Sequence, residues 1–214
     1  MERIGKLLAG IILFFLFFAE AKAQLLDNWQ ARPSLSLEHQ FNKKWSLEGT
    51  YYQYFDNNIS SFDKSVFGVK ANYQLNSWLQ AGANYRLGLE KHSNYHDFRY
   101  SLAFKPDFNL EKWEFVYQPM FQQKLANEQK PENFLRNQLK AEYKLSKKFS
   151  LFVLTENYLQ LNHGVKNHTQ KYAFGSEFEL SERSDLEFQF TVKDRIGEKK
   201  YARLELNYIY QIGK

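Results

Sequence analysis

The 214-residue sequence contains no cysteine, so disulfides, thiolate metal ligands and thiol nucleophiles are all excluded. Proline is held to four residues, which leaves few places where a β-ladder must lose a donor. Beyond the first two dozen positions no apolar run approaches the roughly 20 residues that a helix needs to cross a bilayer. A dominant charge sign is missing too. Lysine and arginine number 29 against 24 acidic residues, for a net charge of +5. These basic residues alternate with apolar ones instead of forming a patch, so no nucleic-acid partner is expected.

What is plentiful is aromatic: 20 Phe, 14 Tyr and 4 Trp make up 18% of the chain. Apolar residues reach 43%, yet the mean hydropathy is −0.61, so they are interleaved with polar ones. The stretch Asn133 to Leu159 shows how. Leu135, Leu139, Ala141, Tyr143 and Leu145 share one parity, and Arg136, Gln138, Lys140, Glu142 and Lys144 share the other. Period two marks a strand with two unlike faces. After Ser146-Lys147-Lys148 the pattern resumes in Phe149, Leu151 and Val153, which makes a hairpin. Its first arm, Arg136 to Lys144, spans about 30 Å, the reach of a tilted strand across a bilayer.

The N-terminus reads differently. Arg3 and Lys6 precede the apolar run Leu7 to Ala19, and Ala21-Lys22-Ala23 supplies small residues for a signal peptidase. Residues 1–23 are therefore expected to be a cleaved secretory signal, and 24–214 the mature domain.

The hairpin repeats along that domain. Turns at Asn42-Lys43-Lys44, Asn76-Ser77, Asp107 to Glu111, Ser146 to Lys148 and Ser181 to Ser184 alternate with polar stretches that include Asp56 to Lys64 and Lys124 to Glu132. These stretches are expected to be the longer, outward loops and the surface for any partner. About eleven strands result. Bacterial transmembrane barrels use even numbers with short periplasmic turns, so the expected architecture is an all-β antiparallel transmembrane barrel of 10–12 strands. Twelve is favoured if Leu25 to Ala31, with Trp29, forms a further crossing. A miscounted weak strand and an N-terminus threaded through the lumen are the other ways to reconcile the count.

The residues that follow four short turns are Trp45, Trp78, Trp113 and Phe149. Aromatic rings at one end of many strands form a membrane-interface girdle. The opposite parity carries Arg86, Arg99, Lys105, Glu114, Arg136, Gln138, Lys140 and Glu156. An Arg or Lys facing lipid at the midplane costs about 2–4 kcal/mol, so this face is expected to line the lumen. A soluble secreted barrel that binds a ligand with its apolar face inward is the rival, but about eleven strands enclose too wide a space for side chains to fill.

No catalytic, cofactor-binding or metal site stands out. His39 and His96 fall on the apolar face, where the adjoining strands offer no serine. His163 and His168 lack a shared face or a nearby carboxylate, which points to a solvated loop and not a metal site. Counting from the Ser146 to Lys148 turn sets Arg136 opposite Tyr158 and Gln138 opposite Glu156, and Lys105 can face Glu114. Both signs alternate without a single-sign ladder, which suits a brace across a closed lumen. A selectivity lining for small solutes is the alternative.

Several short motifs carry a family resemblance: Asn42-Lys43-Lys44-Trp45-Ser46-Leu47, His96-Asp97-Phe98-Arg99, Leu135-Arg136-Asn137-Gln138-Leu139, Glu156-Asn157 and Leu206-Asn207-Tyr208-Ile209-Tyr210. In these the chain resembles an outer-membrane family, domain of unknown function 2490. The resemblance implies an outer-membrane barrel and supplies no activity. The family pattern often reads Arg-x-Arg where this chain has Arg136 and Gln138. Tyr208 and Tyr210 look like the aromatic end of a barrel-assembly signal, with Gln211 to Lys214 following. The expectation is thus a non-enzymatic barrel in the outer membrane of a Gram-negative-type cell. It would be surrounded by lipid, pass small solutes or serve as a structural or binding barrel, and need no cofactor. A lipid-modifying enzyme is the remaining alternative.

Overall fold

Among the described residues, period-two patterning produces strands joined by turns. The structure, a computed structural model, describes residues 28–90, 94–106, 108, 110–126, 130–162, 166–195 and 200–212. The expected signal peptide and His163 lie outside these residues. Among them are eleven strands: β1 (Asn28–Gln40), β2 (Trp45–Asp56), β3 (Ser61–Gln74), β4 (Leu79–Glu90), β5 (Asn94–Phe104), β6 (Trp113–Ala126), β7 (Glu132–Lys144), β8 (Phe149–Gln160), β9 (Lys166–Ser181), β10 (Ser184–Arg195) and β11 (Tyr201–Ile212). Each pairs antiparallel with its neighbour in sequence, and β1 closes on β11 into a barrel.

An odd strand number forces the closing pair to be parallel, and it is: Ser34 aligns with Asn207 and Leu37 with Tyr210. The twelfth crossing suggested by Leu25 to Ala31 does not form among the described residues, because Trp29 and Ala31 belong to β1. Eleven still falls within the expected range.

Two prolines mark gaps in the ladder. Pairing of β1 with β2 lapses at Arg32 and Pro33. Pairing of β5 with β6 lapses beside Pro119. Each proline lacks the N–H that a ladder bond requires.

Strands also run further than the polar stretches suggest. The expected loop Asp56 to Lys64 is a four-residue turn, with β3 starting at Ser61. Asn57, Asn58 and Ile59 all take positive φ there, at 50°, 57° and 66°. Asparagine tolerates such a conformation better than most residues, whereas a β-branched residue is strained in it. It is anchored on β1, where the Ile59 N–H donates to the Trp29 carbonyl (3.2 Å) and the Asn58 N–H donates to Asn28 Oδ1 (2.9 Å). Polar character in Asp63 and Lys64 thus reflects an inner face and a strand end, and connections are short at both ends. The longest, between Phe104 and Trp113, lies at the end expected to carry only tight turns.

The outer surface is an apolar band. Leu37, Val69, Leu102, Leu139, Val153 and Leu206 each expose between 43% and 54% of their surface. The buried groups are largely polar or charged, among them Ser36, Thr50, Arg136, Glu156 and Glu205. That inversion of the soluble-protein pattern eliminates the apolar-inside rival.

Candidate functional site

The inner face encloses an axial cavity of about 520 Å³ to which all eleven strands contribute. Of the expected lumenal residues, Arg86, Arg99, Arg136, Gln138 and Glu156 line it. Lys105, Glu114 and Lys140 do not. Lys105 meets Glu114 at 3.5 Å near the end that carries Trp45, Trp78 and Trp113, and Lys140 lies between Glu142 (2.9 Å) and Glu177 (2.6 Å).

Register explains the central ion pair. Arg136 aligns with Tyr158 and Gln138 with Glu156, so Arg136 reaches Glu156 diagonally along the same inner face. Its Nε and Nη2 donate to Glu156 Oε1 at 2.9 and 2.5 Å, and its Nη1 donates to Gln122 Oε1 at 3.0 Å. The second oxygen, Glu156 Oε2, accepts from the Tyr158 hydroxyl at 3.1 Å. Arg99 grips Asp97 in the same manner, at 2.5 Å. On the opposite wall Arg32 pairs with Glu205, which also accepts from Thr191 at 3.0 Å.

The fold sorts charges along the axis in a way that the sequence does not display. Toward the three-tryptophan end, glutamates align directly across strands: Glu38 with Glu48, Glu114 with Glu142, and Glu177 with Glu187. Lysines moderate this repulsion, Lys70 lying 3.8 Å from Glu48 and Lys144 lying 3.5 Å from Glu114. The cavity itself, reaching toward the other end, is lined by ten lysines and arginines but only four carboxylates.

Tyrosines thread through those cations. Lys124, Tyr95, Lys64, Tyr54, Arg203, Tyr201, Lys193, Tyr158 and Arg136 follow one another around the wall, each cation 4.3–5.7 Å from the adjacent ring centre. All are within cation–π range. The Arg136–Gln122 hydrogen bond brings the belt back to β6, where Lys124 began it. Arg32 and Arg86 add a branch, each 5.1 Å from the Tyr52 ring. Glycine makes room for the belt, since a Cβ at Gly88 would overlap the ring of Tyr95. Deeper, Phe152 projects inward over Gly175 and beneath the Lys140 ammonium, 4.5 Å from its ring centre.

The sequence pattern assigns aromatics to the outer surface, and these inward tyrosines depart from it. The signal that marks them is parity: Tyr52 and Tyr54 alternate with the outward Tyr51. Polarity alone puts Lys64 and Lys124 in loops.

Outside, Trp45, Trp78, Trp113 and Phe149 all sit at one end and meet rings across strands. Trp45 meets Tyr73 (4.7 Å), Trp78 meets Phe104 (6.2 Å), Trp113 meets Tyr143 (4.9 Å) and Phe149 meets Phe178 (4.5 Å). His39 and His96 face outward as well. The His96 ring nitrogen is 2.8 Å from the Tyr85 hydroxyl, and His39 contacts the Ile212 carbonyl at 3.0 Å. Among the described residues no cluster of three or more potential metal ligands occurs.

Solved structures share this architecture at low identity. An outer membrane channel from Pseudomonas putida F1 superposes with a TM-score of 0.54 at 13% identity, over 79% of this chain and 77% of that one. A bacterial polysaccharide outer membrane secretin gives 0.53 at 8% identity over 78% of this chain, which spans 64% of the secretin's length. At these identities the likeness is one of fold. None of the curated proteins matches the sequence. The family model described as "Protein of unknown function (DUF2490)" matches residues 29–213, and the chain belongs to that family.

Proposed function

We propose that the protein is an outer-membrane barrel, exported by a cleaved signal at residues 1–23, whose lumen is a narrow passage for small solutes. The observation that carries this reading is the axial cavity: a polar, charge-lined space inside a wall whose outer surface is an apolar band. In this reading the lipid lies against Leu37, Leu139 and their outward neighbours, and Trp45, Trp78, Trp113 and Phe149 hold one interface. The three-tryptophan end, where β11 finishes, faces the periplasm. The odd strand number then places the start of β1 on the outer side.

The reading is non-enzymatic. The outward histidines contact a tyrosine hydroxyl and a backbone carbonyl, and the inner face is occupied by ion pairs and cation–π contacts. The channel from Pseudomonas putida F1 supports the reading at the level of architecture.

The test is conductance of the refolded mature protein in a planar bilayer. Reproducible single-channel steps are expected. A silent bilayer, with insertion and folding demonstrated in the same vesicles, overturns the passage and leaves a closed barrel braced by its charges.

A further inference from the structure

The geometry points to a binding site for a small oxyanion-bearing solute, a carboxylate or a phosphate ester, on the cavity wall around Arg86, Arg203 and Lys171. The inference rests on the reading of the lumen as a solute passage and names the solute class.

The argument begins from which cations already have a counter-charge. Arg99 is held by Asp97, Arg136 by Glu156, Arg32 by Glu205, and Lys64 by Glu90 at 2.8 Å. Arg86, Arg203 and Lys171 have no carboxylate within 4 Å among the described residues, although all three line the cavity. Among the described residues Arg86 donates only to neutral oxygens, those of Tyr52 and Asn84, both at 3.4 Å. Arg203 donates through Nε and Nη2 to Gln30 Oε1 at 3.1 and 2.8 Å, and to the Tyr201 hydroxyl at 3.3 Å.

A second observation comes from Arg32, which stands between them on the wall. Its Nη1 reaches the Tyr54 hydroxyl at 3.5 Å, while its Nε is buried and has no hydrogen-bond partner. Buried donors normally find one. The guanidinium planes lie against tyrosine faces, and among the described residues Nη1 of Arg86 and of Arg203 makes no hydrogen bond, so each keeps a donor for an acceptor; a guanidinium suits a carboxylate or phosphate. A cation would meet the surplus of positive charge instead. The volume, about 520 Å³, falls in the range of small-molecule sites.

The experiment is isothermal titration of the folded mature protein in detergent with citrate and, separately, with inorganic phosphate. Choline serves as the cationic control. Citrate binding is expected, with affinity falling about tenfold or more in the Arg86→Gln/Arg203→Gln variant and unchanged in Lys105→Gln. Phosphate binding at equal strength would identify a phosphate-type site, and a preference for citrate a polycarboxylate site. Should the double variant fail to fold, phenylglyoxal modification of the wild-type protein gives the same information. Citrate should protect Arg86 and Arg203 while leaving the exposed Arg183 reactive. Choline binding as tight as citrate, citrate binding unaffected by the double substitution, no citrate or phosphate binding, or no protection of the two arginines would each overturn the site. Because titration does not depend on conductance, a silent bilayer with intact citrate binding refutes the passage and not the site.

Discussion

Arg136 and Glu156 form a two-pronged ion pair inside the wall of the barrel, with 7% and 1% of their side chains left to solvent. Three donors converge on the Glu156 carboxylate, two from Arg136 and one from Tyr158. Breaking such a pair on one side strands a buried charge, which costs about 3–5 kcal/mol. Glu156→Ala should therefore lower the unfolding free energy by that amount in urea titrations of the vesicle-embedded protein, followed by tryptophan fluorescence. Arg136→Met/Glu156→Leu should recover most of it, because replacing both partners removes the uncompensated charge. A loss below about 1 kcal/mol in Glu156→Ala would show that the pair does not brace the wall.

The placement of that pair is legible in the amino-acid sequence, since counting outward from the Ser146 to Lys148 turn fixes the register. The barrel is legible for the same reason: alternation states which residues face in, and the charged parity identifies that side as the lumen. Two features are not. Strand ends are set by ladder bonds and by local turn geometry, such as the left-handed run Asn57 to Ile59, and not by polarity, so Lys64 and Lys124 read as loop residues although they face the cavity. Axial sorting of charge also escapes, because height along a tilted strand depends on the stagger of all eleven strands. Glu38 and Glu48 become neighbours only once β1 and β2 are registered.

The seam where β1 meets β11 is parallel, and this distinguishes eleven strands from twelve. Ser34 Oγ contacts Asn207 Oδ1 at 3.0 Å on the inner face of that seam. The absence of native cysteine makes a direct test simple. Ser34→Cys/Asn207→Cys should oxidise to a disulfide in the folded barrel and change its migration on non-reducing gels. The pair Ser34→Cys/Gln211→Cys, displaced four residues along β11, should not, because the bond tolerates a Cα separation of only about 7 Å. Efficient cross-linking of the displaced pair, or none in the aligned one, would mean that the barrel closes differently.

Phe152 and Gly175 face one another on adjacent strands, and the ring occupies the space that a Cβ would need. Gly175→Ala should destabilise the barrel by about 1–3 kcal/mol, the usual cost of overpacking. Phe152→Leu should relieve the clash, so the two substitutions together should cost less than their sum. Strict additivity in the unfolding free energies would show that the ring moves aside freely. The same ring lies inward beneath Lys140, so Phe152→Ala should also raise the single-channel conductance if ions pass this point.

Trp45, Trp78 and Trp113 lie at the same end of the barrel, 47–48% exposed and each against an outward ring of the next strand. Amphipathic indoles settle where hydrocarbon meets headgroups. In the Trp29→Phe background only these three tryptophans fluoresce, so their depth can be read without interference from the far end. Lipids brominated near the glycerol end of the acyl chain should quench them about twofold more strongly than lipids brominated near the terminal methyl, as an interfacial position requires. Trp113→Ala removes a ring that packs against both Tyr143 and Phe115, and should lower stability in vesicles by about 1–3 kcal/mol. Equal quenching at both depths would place the rings away from an interface. The aromatic row would then be a packing feature of the strand ends, and the vertical position of the barrel in the bilayer would have to be set elsewhere on its surface.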